Sequence, residues 1–245
     1  MWVIKTFNNI QYNSIQDGDV VIFYVNELYA KYTLTEIKKC ISELNEKFVV
    51  KENIFKNTIN VFLAPNRKEF EYLILNILKV NIKIPTNKAR IAQPQRTDLI
   101  LLCPTSYDTD SIYTYDEGYY KRLLKHEMIH MFQEHLNVDM ENTSRGFAEG
   151  IAVYLSKQYE YEDEFKNPVI EGVLNKKIPS IEEINNNIVL CYDWGWTIVK
   201  YIDEVYGFDT VLNIFRSCGS YDVIGFMRND KVEFEEKWKA WLLSK

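Results

Sequence analysis

Apolar runs with strand character alternate with helical stripes through the first half of the chain. The strand-like runs cover residues 2–6, 20–25, 58–64, 90–92 and 99–103. Turn signals stand between the first two runs at Asn8-Asn9 and Asp17-Gly18-Asp19. Apolar residues at helical spacing cover residues 33–48 and a second segment that begins at Asn66. Strands and helices in this order predict a mixed sheet with at least one parallel crossover.

The two helices predicted in this half have distinct apolar stripes. For residues 33–48, Thr33 followed by Glu36 has the spacing of a capping box, which predicts the start of the helix. Its stripe consists of Ile37, Ile41, Leu44 and Phe48. The stripe of the second helix consists of Phe70, Leu73, Ile74 and Ile77. Both helices are therefore expected to pack one face on the sheet.

Helical spacing dominates the second half of the chain. The predicted helices cover residues 119–136, 146–158, 191–206, 209–216 and 231–243, and one more begins at Pro179-Ser180. Ser144 is a predicted N-cap, Gly207 is a predicted helix stop, and the charged residues 160–164 predict a loop. Trp238 and Trp241 are expected to anchor the last helix. The pattern predicts an α+β fold, with a mixed β-sheet and helices in residues 1–117 and a mainly helical half in residues 118–245.

Composition narrows the class of protein. The 245 residues are 47% hydrophobic and 14% aromatic, which is typical of a globular chain with a sizeable core. The net charge of −6 argues against nucleic-acid binding, and no apolar run is long enough to predict a membrane span. The first residues lack the apolar core of a secretory signal, and the four cysteines are scattered, so we expect reduced thiols and a cytoplasmic protein.

The predicted helix over residues 119–136 carries a His-Glu-x-x-His motif at His126, Glu127 and His130. Histidines four residues apart lie on one helix face, about 40° apart around the axis, so both can bind one metal ion. A short motif of this kind also arises by chance. Here, however, the polar residues lie among apolar ones, where they are costly without a partner. The motif therefore predicts a zinc site, with Glu127 placed to accept a proton from a metal-bound water.

A third ligand is needed, because a catalytic zinc usually has three protein ligands and one water. The metzincin pattern would place glycine at 133 and histidine at 136, where this chain has Gln133 and Leu136. His135 is five residues after His130 and therefore lies off the metal face. Glu149 is the one carboxylate in the apolar run of residues 146–155, and we expect it to be the third ligand.

Together, the His126-Glu127-x-x-His130 motif and Glu149 in an Ala-Glu-Gly-Ile-Ala setting resemble the gluzincin metallopeptidases, and among them the aminopeptidase N branch. This resemblance implies a zinc site in a cleft between the sheet half and the helical half. It also implies that an edge strand over residues 89–93, including Ile91, Ala92 and Gln93, pairs with the substrate backbone. An ordinary hairpin explains the same residues equally well.

Two further implications concern substrate and transition state. Members of the aminopeptidase N branch place a glutamate near the edge strand to hold the free amino group of the substrate. This chain has Gln93 and Gln95 there and no acid before Asp98, which argues against strict aminopeptidase activity. Tyr192-x-x-Gly195 is similar to the branch's tyrosine pattern, which implies that Tyr192 donates a hydrogen bond to the oxyanion. The alternative is that Tyr192 is a core aromatic residue.

The sequence therefore predicts a zinc-dependent metallopeptidase that acts on a peptide or protein, with Glu127 as general base and Zn²⁺ held by His126, His130 and Glu149. One alternative is a related scaffold that binds a peptide or protein partner without turnover. Another is a zinc hydrolase that acts on a non-peptide amide. The intact Glu127 favours an enzyme, since a structural zinc site has no use for a carboxylate beside it. Nothing in the sequence indicates an oligomeric state.

Overall fold

The computed structural model of the protein describes residues 5–51 and 54–245. Contacts within the chain divide it into two compact units, Met1–Met131 and Phe132–Lys245. A mixed sheet with helices occupies the first half, and the second half is mostly helical, so the predicted α+β fold class is confirmed. The domain boundary between residues 117 and 118 stays a prediction.

In the described part of the first unit, six strands form a sheet in the spatial order β1-β2-β3-β4-β6-β5. They are β1 (Lys5–Phe7), β2 (Ile10–Asp17), β3 (Val20–Tyr24), β4 (Ile59–Ala64), β5 (Ala92–Gln95) and β6 (Asp98–Leu102). β4 pairs in parallel with β3 and with β6, which confirms the predicted parallel crossover, and the other pairs are antiparallel. β4 is buried along almost its whole length, as expected for a central parallel strand.

The helices that begin in the first unit are α1 (Ala30–Lys47), α2 (Arg67–Leu73), α3 (Tyr107–Asp110) and α4 (Glu117–Leu136), the last of which ends in the second unit. Shorter helical turns cover Glu27–Tyr29, Ile74–Leu78 and Pro104–Ser106. α1 packs against β2 and β3, while α2 packs against β4 and β6. The packing follows from the predicted stripes, because Ile37 and Leu44 of α1 and Phe70 and Leu73 of α2 are buried.

Two predictions for the first unit need correction. β2 is a strand that the sequence pattern did not predict, and it joins the runs on either side of it into one antiparallel ribbon. Thr33 is not an N-cap, because α1 begins at Ala30 and Thr33 lies inside it. Its hydroxyl bonds the backbone oxygen of Tyr29 and the hydroxyl of Tyr120, each at 2.8 Å. Residues 2–4 of the first predicted strand lie outside the described residues.

The second unit contains eight further helices in the described part of the chain. They are α5 (Arg145–Ser156), α6 (Gln158–Tyr161), α7 (Asp163–Leu174), α8 (Ile181–Asn186), α9 (Ile188–Tyr206), α10 (Phe208–Ser217), α11 (Val223–Phe226) and α12 (Lys231–Leu243). A short turn covers Met140–Asn142. α9 is the central helix, in contact with α5, α7, α8, α10 and α12. Trp238 of α12 is fully buried, and its indole donates to the Thr197 hydroxyl of α9 at 3.2 Å, so its predicted anchoring role is confirmed.

Two predictions for the second unit also need correction. Residues 160–164 are not a loop, because α6 and α7 cover most of them. Acidic residues in the first turn of α7 suit the positive end of a helix, and Phe165 and Val169 bury one face of it. α9 begins at Ile188, one turn before the predicted start, because Asn187 caps it.

Two expectations from composition can be compared with the structure. All four cysteines are free and buried, as predicted: Cys40, Cys103, Cys191 and Cys218. Among the described residues, no helix combines the length and the apolar character that crossing a membrane requires.

Candidate metal centre

The His-Glu-x-x-His motif on α4 lies in a buried stretch of that helix. The apolar side chains around it are buried: Leu123, Leu124, Met128, Ile129, Met131 and Phe132. His126 is only 5% exposed and Glu127 only 7% exposed, whereas His130 is half-buried. Polar side chains that have lost this much water need compensating polar contacts.

The two imidazoles converge through the same ring atom. The Nε2 atoms of His126 and His130 are 3.1 Å apart, and the ring planes are inclined by 76°. Two nitrogens bound to one tetrahedral zinc, each at about 2.0–2.1 Å, would be about 3.3 Å apart. The observed distance also fits an N–H···N hydrogen bond between a donor ring and an acceptor ring. In either case the two Nε2 atoms face each other, which is the arrangement that a shared metal ion needs.

Glu149 completes a group of three ligands. The nearest ligand atoms of His126, His130 and Glu149 all lie within 4.8 Å of one another. Glu149 is half-buried in the second turn of α5. The predicted N-cap of this helix is confirmed, because the Ser144 hydroxyl accepts the Phe147 N–H at 3.4 Å. Two imidazole nitrogens and one carboxylate oxygen are a donor set that suits zinc, and three ligands leave a fourth position open. The group can therefore hold a metal ion.

The connection from α4 to α5 is fixed by a shared backbone acceptor. The side chains of Asn137 and Thr143 both donate to the Cys218 carbonyl oxygen, Asn137 at 2.9 Å. All three residues are buried. Because both ends of the connection bind the same atom, the start of α5 is held in place relative to the end of α4. This arrangement constrains where Glu149 lies.

Three glycines let α5 and α9 approach very closely. A Cβ atom on Gly150 would lie 2.4 Å from the carbonyl carbon and oxygen of Gly195, and one on Gly195 would lie 2.2 Å from the Gly146 oxygen. Real Cβ atoms do not approach backbone atoms this closely. Gly150 follows Glu149 directly, and Gly195 lies one turn after Tyr192 on α9. The contact therefore fixes the helix of Glu149 against the helix of Tyr192.

We expect Gly195→Ala to destabilise the protein by about 3 kcal/mol, because the new methyl group meets backbone atoms that cannot move independently. Gly118→Ala is the matched control, since the nearest atoms there belong to the Arg122 and Asp116 side chains, at 3.1 and 3.2 Å. The control should leave stability unchanged or raise it slightly. Urea denaturation of both variants measures the two effects. Equal stability of the two variants would disprove the close helix contact.

Tyr192 lies in the second turn of α9 and is half-buried. On the next turn Trp196 is buried, stacks on Tyr159 with a centroid separation of 4.4 Å, and donates to the Phe165 oxygen at 3.2 Å. The glycine of the Tyr192-x-x-Gly195 pattern is explained by packing, because only glycine at this position allows the close contact between α9 and α5. The oxyanion role of Tyr192 stays a prediction.

The predicted edge strand exists, although it is β5 (Ala92–Gln95) and lies two to three residues later than residues 89–93. It is the last strand in the sheet order and pairs only with β6 among the described strands. The Ile91 carbonyl accepts the Leu102 N–H at 2.8 Å, and Gln93 is the partner of Ile100. Because antiparallel pairs alternate, Ala92 directs its N–H and carbonyl away from β6. Of the three predicted substrate-binding residues, Ala92 is therefore the one that can offer both backbone groups to an added strand.

The environment of Glu149 keeps a nearby cysteine protonated. Burial, which is the largest cause, and the charge of Glu149 together raise the pKa of the Cys191 thiol to about 11, and the charge of Arg145 opposes the rise. The thiol donates to the Ile184 carbonyl oxygen at 3.0 Å. Because zinc binds cysteine as the thiolate, the raised pKa makes Cys191 a poorer ligand than an ordinary cysteine.

Sequence reasoning missed two features near the motif. The glycine contact has a visible signal, because Gly146 and Gly150 have the small-x-x-x-small spacing of close helix packing. In the sequence, Gln133 matters only as a mismatch to the metzincin pattern. Yet it is a long polar residue on an apolar helix, and its side chain is fully buried.

Comparison with known proteins does not add to this description of the site. No protein-family model matches the chain, and no curated protein matches it. The function is therefore inferred from the residues of the metal centre.

Proposed function

We propose that the protein is a zinc-dependent metallopeptidase of the gluzincin type. The observation that carries the proposal is the convergence of His126, His130 and Glu149, whose ligand atoms lie within 4.8 Å of one another, beside the buried Glu127. A three-ligand group leaves room for water, which distinguishes a catalytic zinc site from a four-ligand structural one. Glu127 is adjacent in sequence to a ligand without belonging to the ligand group.

The residues of the chain have separable roles in the proposed reaction. Zinc, when bound, lowers the pKa of a coordinated water to roughly 7 and polarises the substrate carbonyl. The Glu127 carboxylate takes the proton from the attacking water and later gives it to the leaving nitrogen, so that the amide bond breaks without a free hydroxide or amide anion. The Tyr192 hydroxyl donates a hydrogen bond to the carbonyl oxygen as its negative charge develops.

The proposed substrate is a peptide or protein segment that adds to the edge of β5 with which no described strand pairs. Ala92 offers one N–H and one carbonyl there, whereas Pro94 has no N–H to donate. The edge therefore supports limited pairing with one bound segment, and the proline makes uncontrolled growth of the sheet less favourable. Gln93 and Gln95 carry no charge for a free amino terminus, so we propose that the enzyme does not require one.

A mixed peptide library tests the proposal. Metal-free protein should cleave none of the library, the zinc-loaded protein should release defined products visible by mass spectrometry, and chelation should abolish their release. Amino-terminally acetylated peptides should be cleaved as well. If the protein binds zinc but cleaves nothing, the proposal fails in favour of a peptide-binding scaffold. Cleavage of non-peptide amides alone would identify a different hydrolase.

Tyr192→Phe tests the oxyanion role, because it removes one hydroxyl and keeps the ring. If the hydroxyl holds the oxyanion, kcat should fall about 10²-fold or more with a smaller change in KM. If Tyr192 only packs in the core, the cost should be about 1 kcal/mol or less of stability with kcat intact. Measuring the melting temperature together with kcat on one good peptide separates these outcomes. A kcat within a factor of two of the parent would leave Tyr192 without a catalytic role.

A further inference from the structure

Gln133 is an exception to the rule that buried polar groups are hydrogen-bonded. Its side chain is 0% exposed, and among the described residues neither its Nε2 nor its Oε1 has a hydrogen-bond partner. An amide buried in this way has lost its water without compensation, which destabilises the folded protein. A leucine or methionine would fill the same space without that cost. The residue therefore calls for an explanation outside the packing of the chain.

The same unit shows how a buried glutamine is satisfied for structural reasons. Gln158 is 3% exposed, accepts a hydrogen bond from the Ser156 hydroxyl at 3.2 Å, and donates to the Glu162 carboxylate at 3.1 Å. Its amide is bonded at both ends by residues nearby in sequence. The two side chains are buried to a similar extent, but the Gln133 amide lacks the hydrogen bonds that the Gln158 amide makes.

The position of Gln133 on α4 points to the metal centre. It follows His126 by seven residues and His130 by three, so it lies about 20° and about 60° from them around the helix axis. Helical side chains lean toward the N-terminus of their helix, which directs Gln133 back over the turn that carries His130. A ligand atom of His130 lies within 4.8 Å of one on Glu149. The Glu149 carboxylate is therefore near the turn over which Gln133 extends.

We propose that Gln133 is a positioning residue whose Nε2 donates to the Glu149 carboxylate in the metal-bound protein. Ligands of a tetrahedral zinc are about 3.3 Å apart, so a Glu149 oxygen at the 4.8 Å limit would have to move inward by about 1.5 Å. A donor on the other carboxylate oxygen holds that ligand in its binding orientation, as outer hydrogen bonds commonly do around metal sites. This inference rests on the metal centre of the proposed function, and not on peptide hydrolysis.

The test measures stability and zinc affinity separately in Gln133→Met, with Gln158→Met as matched control. Gln133→Met removes an unsatisfied amide, so the metal-free protein should melt about 3 °C or more above the parent. Its zinc affinity, measured by competition with a chromophoric chelator, should fall about 10- to 100-fold. Gln158→Met should do the reverse, lowering the melting temperature because two hydrogen bonds are lost and leaving zinc affinity unchanged.

Unchanged zinc affinity in Gln133→Met, or a lower melting temperature of its metal-free form, would overturn the proposal. The first result would separate Gln133 from the metal centre, and the second would reveal a structural partner. If Gln133→Met does not fold, Gln133→Leu and a crystal structure of the zinc-loaded parent decide the question. The structure should place Nε2 within about 3 Å of a Glu149 oxygen. A parent that binds no zinc would refute the proposed function itself, whereas a parent that binds zinc and cleaves nothing would leave Gln133 in its role.

Discussion

Glu127→Gln should retain zinc and lose nearly all peptide hydrolysis. The amide has the size of the carboxylate and can still accept a hydrogen bond, but it cannot take a proton from water at neutral pH. Because Glu127 is 7% exposed, solvent cannot readily supply a substitute base at the same place. Loss of a general base costs typically 10²- to 10⁴-fold. In the proposed mechanism Glu127 also serves as the acid for the leaving nitrogen, so we expect the upper end of that range for kcat.

Glu117→Gln is the matched control, since it makes the same substitution on the same helix. Glu117 is exposed and pairs with Lys121 at 2.7 Å, a contact that contributes little to stability. The control should keep both zinc and activity. Metal analysis and kcat on one library-derived peptide are the two measurements. Hydrolysis that survives in Glu127→Gln would mean that the activity arises at another group or from a contaminant.

Two sequences with the spacing of a capping box show when a local motif predicts structure. Ser180 and Glu183 have the same spacing as Thr33 and Glu36, and only the first pair forms the motif. The Ser180 hydroxyl accepts the Glu183 N–H at 3.1 Å, and the Glu183 carboxylate accepts the Ser180 N–H at 2.7 Å. Thr33 instead bonds Tyr120, a residue 87 positions later. α1 starts before Thr33 because the helical turn Glu27–Tyr29, which Asn26 caps, continues directly into it.

The sequence predicts more of the candidate site than of the packing contacts around it. Four-residue spacing places His126 and His130 on one face of any helix, so the pair needs no tertiary information. Glu149 was predictable because a lone carboxylate in an apolar helix requires a partner. The close packing of Gly150 against Gly195 and the burial of the Gln133 amide depend on which helix lies opposite. The spacing of Gly146 and Gly150 indicates a close helix contact, but it does not say which helix is the partner.

Charge also misled the sequence-based prediction in an instructive way. Residues 160–164 carry several acids, which predicted a loop, yet α7 begins at Asp163. The first turn of a helix has unpaired N–H groups that favour nearby negative charge, so acids mark a helix start as readily as a loop. The buried Phe165 and Val169, four residues apart, carry the helical signal that the charges obscured.

Glu149→Ala should greatly weaken zinc binding while leaving most of the fold intact. Glu149 is half-buried in the second turn of α5, and alanine favours helix there. Four-ligand zinc sites bind with about 10–16 kcal/mol, which corresponds to about 3 kcal/mol or about 10²-fold in affinity for each ligand. The two histidines alone should therefore hold zinc at least about 10²-fold more weakly than the parent, and dialysis against a weak chelator should strip the variant first.

Glu141→Ala provides the control for Glu149→Ala, because it removes one exposed carboxylate from the α4–α5 connection, eight residues earlier in the chain. The control should match the parent in zinc content after dialysis, which separates loss of a ligand from a change in net charge. Circular dichroism and melting of both metal-free variants confirm that the helices persist. If Glu149→Ala keeps its zinc as tightly as the control, the carboxylate is not the third ligand. The gluzincin interpretation would then fail, because the two histidines would need a partner from elsewhere in the chain.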